Sequence, residues 1–282
     1  MPWAIITLIM FALLLIFLCI ALPTLFIGKS NSASASASYS YNGVVRLNGT
    51  NVDKNFKFIS QKNQDEWVIR DIFNYKKDGY FIDLAATDGK KINNTYLLEK
   101  KLNWKGICIE PNEVYHNELN KNRNCIISYD VIDDYNDKKV KFRIDNGELG
   151  GIVDDNTDNN YKYRSKELKK AKIVEKNTAT LESILDKYNS PKIIDYLSLD
   201  VEGAETRILE RFPFDKYTFL TLTIERPTLK LEKLLFQNGY VFVKKSKKNG
   251  KDTFDSFYVH KSIPNYDNIK KEKYSPTPRK DW

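Results

Sequence analysis

The feature that most constrains the fold is a repeated order: a short apolar run that ends at an acid, then a segment whose apolar residues recur every three or four positions. GYFIDLAATDG is the first such run, with Asp83 at its end, and NNTYLLEKKL follows with Leu97, Leu98 and Leu102 on one helical stripe. WKGICIEP, ending at Glu110, and NEVYHNELNKN repeat the order, and NCIISYDV adds a third run that ends near Asp130. VKFRI reads as an extra strand, TLESILDKYN as a helix, KIIDYLSLDVEG as a buried strand and AETRILERF as a helix. YTFLTLTIE is a strand ending at Glu225, LKLEKLLFQNG a helix closed by Gly239, and YVFVKK with DSFYVH a final hairpin. Upstream, SQKNQDEWVIRDIFNYK spaces Trp67, Val68, Ile72 and Phe73 as a covering helix, with Ser60 as its cap. Buried strands alternating with helices imply an α/β protein. Its sheet is mainly parallel and doubly wound, and the terminal hairpin supplies an antiparallel edge.

Composition narrows the function. With 41% hydrophobic and 29% charged residues among 282, the chain is neither disordered nor a disulfide scaffold. It has three cysteines and no CxxC, so Cys108 and Cys125, both in core runs, read as reduced thiols. Its two histidines, His116 and His260, stand far apart, which argues against a histidine zinc site or a Ser-His-Asp triad. The net charge of +8 is concentrated in the run from Lys244 to Lys251 and beyond Lys261. Such an excess is commonly a solvated surface, with contact to an acidic membrane surface or a polyanion as the sharper alternative. No nucleic-acid-binding signature accompanies it, so nucleic acid is disfavoured as a partner.

The stretch from Trp3 to Ile27 carries no charged side chain. About 25 residues at about 1.5 Å each reach roughly 37 Å, enough to cross a bilayer core. It reads as a single transmembrane helix in preference to a cleaved signal, because a basic leading region is lacking and the apolar run is too long. Lys29 is the only basic side chain close by, so charge barely sets the orientation. Of two N-x-[ST] sequons, at Asn48 and Asn93, the second lies in a ligand-loop candidate where a glycan would block function, which favours a cytosolic domain. The expected organisation is a membrane helix at 3–27, a Ser/Ala-rich tether at 28–55, a catalytic domain at 56–262 and a basic tail at 263–282.

In an open α/β sheet, ligands bind beyond the carboxyl ends of the strands. Here those ends carry Asp83, Glu110, Asp130, Asp200 with Glu202, and Glu225. An acid at the end of the second strand holds ribose hydroxyls in nucleoside-binding sheets of this kind. The turn after the first strand has Ala85, Ala86, Asp88 and Gly89, small enough for close approach to the backbone, but neither GxGxxG nor GxxxxGK[ST] is present. That combination favours S-adenosylmethionine over dinucleotides or nucleoside triphosphates.

At these residues the chain resembles the FkbM family of S-adenosylmethionine-dependent methyltransferases. The resemblance runs over roughly Gln64 to His260 and rests on the ordered strings QDEWV, GYFIDLAATDG, NNTYLLEKKLNWKGICIEPN, GGIV, IDYLSLDVEGAE, FPFDKYTFLTLTIERP and NGYVF. It implies a Rossmann-like class I methyltransferase fold. Asp83, Ala85, Asp88 and Gly89 would form the cofactor turn, and Asn94 and Thr95 would line it. Glu110, with Pro111 and Asn112, would hold the ribose, while Asp130 and Val131 would lie near adenine. Asp200, Glu202 and Glu225 would face the methyl group and the acceptor, with Asp200 as first choice of general base and Glu202 as second. The implied reaction is O-methylation of a sugar, glycoconjugate or other small hydroxylated molecule. A divalent ion between Asp200 and Glu225 suits such carboxylates, but nothing in the sequence requires a metal. The family often has glycine where this chain has Ala85, which motivates an alternative: a catalytically silent, membrane-anchored interaction or trafficking module. A nucleic-acid methyltransferase is a third reading, disfavoured because no NPPY-type tetrapeptide is present.

Overall fold

Each apolar run becomes a strand, and side chains along it alternate between two cores. The computed structural model describes residues 46–47, 50–51, 56–145, 147–248 and 250–276. These belong to one unit, Gly43–Trp282. The strands are β1 (Tyr80–Leu84), β2 (Lys105–Ile109), β3 (Ile126–Ser128), β4 (Val131–Ile132), β5 (Lys139–Arg143), β6 (Gly151–Ile152), β7 (Ile173–Ala179), β8 (Ile193–Leu199), β9 (Thr218–Glu225), β10 (Tyr240–Lys248) and β11 (Lys251–His260). A two-residue ladder, Arg46–Leu47 with Thr50–Asn51, precedes them. The helices are α1 (Tyr96–Leu102), α2 (His116–Asn122), α3 (Tyr161–Leu168), α4 (Leu181–Lys187), α5 (Glu205–Glu210) and α6 (Leu229–Gln237).

Seven strands form one sheet in the order β10-β11-β9-β8-β1-β2-β3. From β3 to β9 every pairing is parallel, and β11 runs antiparallel to both β9 and β10. The chain winds outward from β1 to β3, then returns to β8 on the other side of β1. That reversal leaves a crevice between the carboxyl ends of β1 and β8, the usual ligand position in a Rossmann-like sheet.

Phe81, Cys108 and Tyr196 point to one core, with Trp67, Ile69, Leu98, Leu102 and Leu119. Their neighbours Ile82, Ile107 and Leu197 point to the other, with Ile184, Leu185, Ile208, Leu209, Leu231 and Leu235. The period of two in the strands and of three to four in the helices thus produces helices on both faces. Trp104 is likewise core, its indole N–H donating to Lys76 O (2.7 Å).

Four local features differ from expectation or were not read from the sequence. The run NCIISYDV is two strands: β3 in the main sheet, and β4, which pairs with β7 in a separate four-stranded sheet ordered β4-β7-β5-β6. The chain turns out at Ser128, whose hydroxyl donates to Asp130 (2.6 Å), and Val131 and Ile132 enter the second sheet. VKFRI is β5 of that sheet, and β7 and α3 were not read from the sequence. The covering helix is a short α-turn at Gln64–Glu66 that widens into a π-helix at Trp67–Ile72, and Asn63 rather than Ser60 stands at its N-cap. Ser60 instead donates its hydroxyl to Asp65 (2.5 Å). Packing also continues past residue 262, since Ile263 and Ile269 are buried and Tyr274 donates its hydroxyl to Glu232 (2.6 Å).

The expected membrane helix lies outside the described residues, as does most of the tether. Among the described residues no helix is long and apolar enough to cross a membrane.

Candidate active site

Two adjoining cavities open at the carboxyl ends of the parallel strands, sharing Leu84, Ala85, Thr87 and Glu148 as a common wall. The first lies over β1 and β2 and has an apolar lining that includes Ile109, Pro111, Val131, Ile132, Phe142, Ile152 and Val201. Its polar contributors are Glu110, Asn112, Asp130, Glu148 and Thr87. The second is polar, lined by Gln61, Gln64, Asp83, Lys91, Asn93, Asn94, Ser198, Asp200, Glu202 and Glu225.

Glu110 is fixed by backbone. One carboxylate oxygen accepts the N–H of Thr87 (2.8 Å) and the other that of Asn112 (2.8 Å). Burial pushes its carboxyl up to about 7, a rise those two backbone bonds only partly offset. Beside it Asn112 is 1% exposed, and its Nδ2 has no hydrogen-bond partner. An orphaned donor next to an acceptor-rich carboxylate, on the wall of an apolar cavity, is a suitable lining for a nucleoside bearing vicinal hydroxyls, because buried polar atoms are almost always paired. The residues present therefore fit the nucleoside end of S-adenosylmethionine.

The turn after β1 makes room for such a ligand with unusual backbone. Ala85 has φ 64° and Thr87 φ 49°, left-handed conformations that cost a residue bearing a Cβ about 1–2 kcal/mol. The amides of Ala85 and Ala86 donate back to Ile109 O (2.9 and 3.3 Å), which holds the turn against β2. Gly89, φ 74°, is obligatory for space as well, since a Cβ there would lie 2.6 Å from Arg123 Cγ. Even with its methyl, Ala85 leaves the cavity open and lines both cavities.

Below the turn lies a buried network. Asp83 accepts from Asn93 Nδ2 (2.9 Å) and Thr95 Oγ1 (2.7 Å), and Asn93 Oδ1 accepts from the amides of Thr95 and Tyr96 and from Arg123 (3.0 Å). Arg123 also binds Glu99 (2.6 Å), whose carboxyl, though desolvated, is held down at about 2 chiefly by that guanidinium. Desolvation raises the Asp83 carboxyl, against the opposing pull of Arg123.

Asp200, Glu202 and Glu225 meet at the tips of β8 and β9, with one carboxylate oxygen from each within 4.8 Å of the others. Burial, then the facing Glu225, pushes Asp200 well above the carboxylate range. Burial and Glu225 also carry Glu202 up to about 7, despite Arg164 and Arg226. Arg164 lies 3.2 Å from Glu202, and Arg226 lies 2.8 Å from Glu225, 3.6 Å from Glu202 and against Asp158. Among the described residues no cation lies within ion-pair distance of Asp200. The loop DVEGAE is held open by Glu205, which accepts the amides of Val201 (3.1 Å) and Gly203 (3.2 Å), while Glu202 and Gly203 take positive φ. Ala85, Thr87, Glu202 and Arg226 all take positive φ, backbone that sets the angles at which this site presents its side chains.

Of the residues singled out in the sequence, Ala85, Glu110, Pro111, Asn112, Asp130 and Val131 line the first cavity, and Asp83, Ala85, Asn94, Asp200, Glu202 and Glu225 the second. Asp88, Gly89 and Thr95 line neither. Asp88 accepts the amides of Lys90 and Lys91 (2.8 Å each), Gly89 packs on Arg123, and Thr95 ties Asp83 from behind. His116 stacks on Tyr129 and lines neither cavity. Gly150 and Gly151, in the string GGIV, line the first cavity. Glu148, Phe142, Ser198, Gln64 and the two arginines were missed. Of these, only Arg226 carried a signal, standing directly after a strand-tip acid.

Residues 83–242 match the family model described as Methyltransferase FkbM domain. Among solved structures, the crystal structure of precorrin-6y C5,15-methyltransferase from Geobacter metallireducens GS-15 is similar at 13% identity and a TM-score of 0.37, over 72% of this chain and 89% of that one. No match was found among curated proteins.

Proposed function

The chain belongs to the FkbM methyltransferase family, and from that premise we propose that it transfers a methyl group from S-adenosylmethionine to a hydroxyl of a sugar, glycoconjugate or other small molecule. The observation that carries this reading is the shared wall: an apolar cavity ending at Glu110 and Asn112 adjoins a polar one ending at three carboxylates. When bound, the cofactor supplies an electrophilic methyl on a sulfonium. The chain's own residues divide the remaining work. Glu110 accepts hydrogen bonds from the ribose hydroxyls, Asn112 offers its unpaired donor, and Asp130 and Val131 border the base. Asp200 takes the proton of the acceptor hydroxyl once it is ionised, its raised carboxyl making it a stronger base than an ordinary aspartate. Glu202 and Glu225 orient the acceptor, and Arg164 and Arg226 fix those two acids.

The experiment is incubation of the full-length chain with methyl-labelled S-adenosylmethionine and a panel of sugars and glycoconjugates. A base-stable labelled ether that disappears with Asp200→Asn supports the reading. Label confined to a base-labile ester contradicts the hydroxyl acceptor.

We also propose that residues 3–27 anchor the chain as a single-pass membrane protein with this domain in the cytosol, followed by a tether at 28–55. The charge-free run supports the anchor, and the Asn93 amide, buried and bonded to Asp83, supports a compartment without N-glycosylation. Alkaline extraction of membranes with protease protection tests both. Release of the chain by alkali opposes the anchor, and protection of the domain inside sealed vesicles opposes the cytosolic side.

A further inference from the structure

Cys108 and Cys125 take no part in the proposed chemistry, yet their sulfurs lie 3.4 Å apart. Cys108 is fully buried in β2, two residues before Glu110, while Cys125 is partly exposed immediately before β3. The two strands are adjacent and parallel, with Cys108 opposite Ile127 and the amide of Glu110 donating to Ser128 O (2.9 Å). A disulfide needs about 2.05 Å between sulfurs. The pair therefore closes by little more than 1 Å, a movement that a side-chain adjustment at Cys125 starts and the packed strand must partly share.

We infer that Cys108 and Cys125 form a closable dithiol, oxidised by hydrogen peroxide to a disulfide that ties β2 to β3 and weakens binding in the nucleoside cavity. The Cys125 sulfur attacks the peroxide, breaks its O–O bond and becomes a sulfenic acid with release of water. The Cys108 sulfur then displaces the hydroxyl, which leaves as a second water with the remaining thiol proton. Two thiols lose their hydrogens and the peroxide takes up the two electrons. Burial pushes the Cys108 thiol well above its ordinary range, against a smaller opposing effect of Arg123. The accessible Cys125 therefore reacts first, and Cys108, 3.4 Å away, is the thiol placed to resolve the adduct. The consequence for binding follows from position, because the bond pulls on the strand segments that carry Glu110 and Asp130 to the cavity. This last clause rests on the proposed function.

The test uses the full-length chain, reduced or treated with hydrogen peroxide, then alkylated and digested with trypsin. Cleavage after Lys105, Lys121, Arg123 and Lys138 places the cysteines on separate peptides, 106–121 and 124–138. The expected result is a linked pair of these peptides, two hydrogens lighter than their sum, with both alkylation sites lost and Cys19 still alkylated. A sulfinic Cys125 beside an alkylated Cys108, or a link to Cys19, overturns the pair. In calorimetry with S-adenosylhomocysteine, the oxidised chain should bind about tenfold more weakly, a difference of about 1.4 kcal/mol, and the Cys125→Ser variant should not respond to peroxide. Equal affinity with the link formed overturns the coupling. Absence of binding by the reduced chain overturns the cavity's assignment instead, and the linked peptide still decides whether the bond forms.

Discussion

The two halves of the site handle their acids in opposite ways. On the β1–β2 side the Glu110 carboxylate is held by two backbone amides in a largely apolar wall. On the β8–β9 side three carboxylates crowd together, and the arginines that temper them come from α3 and from the end of β9. The first arrangement suits binding: a rigid acceptor whose geometry does not depend on other side chains. The second suits proton handling, because burial and the facing Glu225 raise the carboxyls of Asp200 and Glu202 and so give them the affinity for a proton that a base needs. Binding and turnover should therefore be separable by mutation.

The largest expected effect is on turnover. Asp200→Asn should lower kcat by about 10²- to 10⁴-fold, the usual worth of a general base, with cofactor affinity unchanged in calorimetry. Loss of both together would merge the two halves. Asn93→Ala attacks the foundation of the first half. It leaves Asp83, Thr95 and Arg123 short of partners in a buried network and should cost about 2–3 kcal/mol in denaturant unfolding. Arg226→Gln sharpens the comparison from the other side, since removing a cation beside Glu225 and Glu202 should move the acidic limb of the pH–rate profile up by about one unit. Cofactor affinity should hardly change. The smallest effect is at Ala85→Gly, where relief of the left-handed strain, less the entropy glycine adds to the unfolded chain, should stabilise the protein by under about 1 kcal/mol.

The acids also set a pH dependence. Glu110 and Glu202 are raised from an ordinary 4.5 to about 7, so between those values the folded chain keeps protons that the unfolded chain has released. Their contribution to stability is full below that window and is lost as pH rises through it. Turnover should move the opposite way and rise through about 7 as Glu202 ionises. Thermal unfolding and rate profiles across this range check the two signs.

Much of this was legible because sheet topology turns sequence position into spatial position. Asp83, Glu110, Asp200 and Glu225 end their apolar runs, and parallel pairing brings those ends to one edge. What was not legible depends on contacts between distant segments. Nothing in NCIISYDV marks the break after Ser128, because β3 and β4 are both apolar and only their partners differ. β7 was obscured by its polar run, Glu175, Lys176, Asn177 and Thr178 in succession in IVEKNTA. Arg164 reaches Glu202 only through a kink in α3, which no periodicity announces.

The central claim is that the cavity over β1 and β2 binds the methyl donor through Glu110. Its most direct test is calorimetric titration of the full-length chain with S-adenosylmethionine and S-adenosylhomocysteine, on both sides of pH 7, alongside Glu110→Ala. The account predicts micromolar binding that strengthens as Glu110 ionises near 7 and is lost in the variant. Binding that survives Glu110→Ala unchanged, or no binding by the folded chain at high ligand concentration, would contradict it.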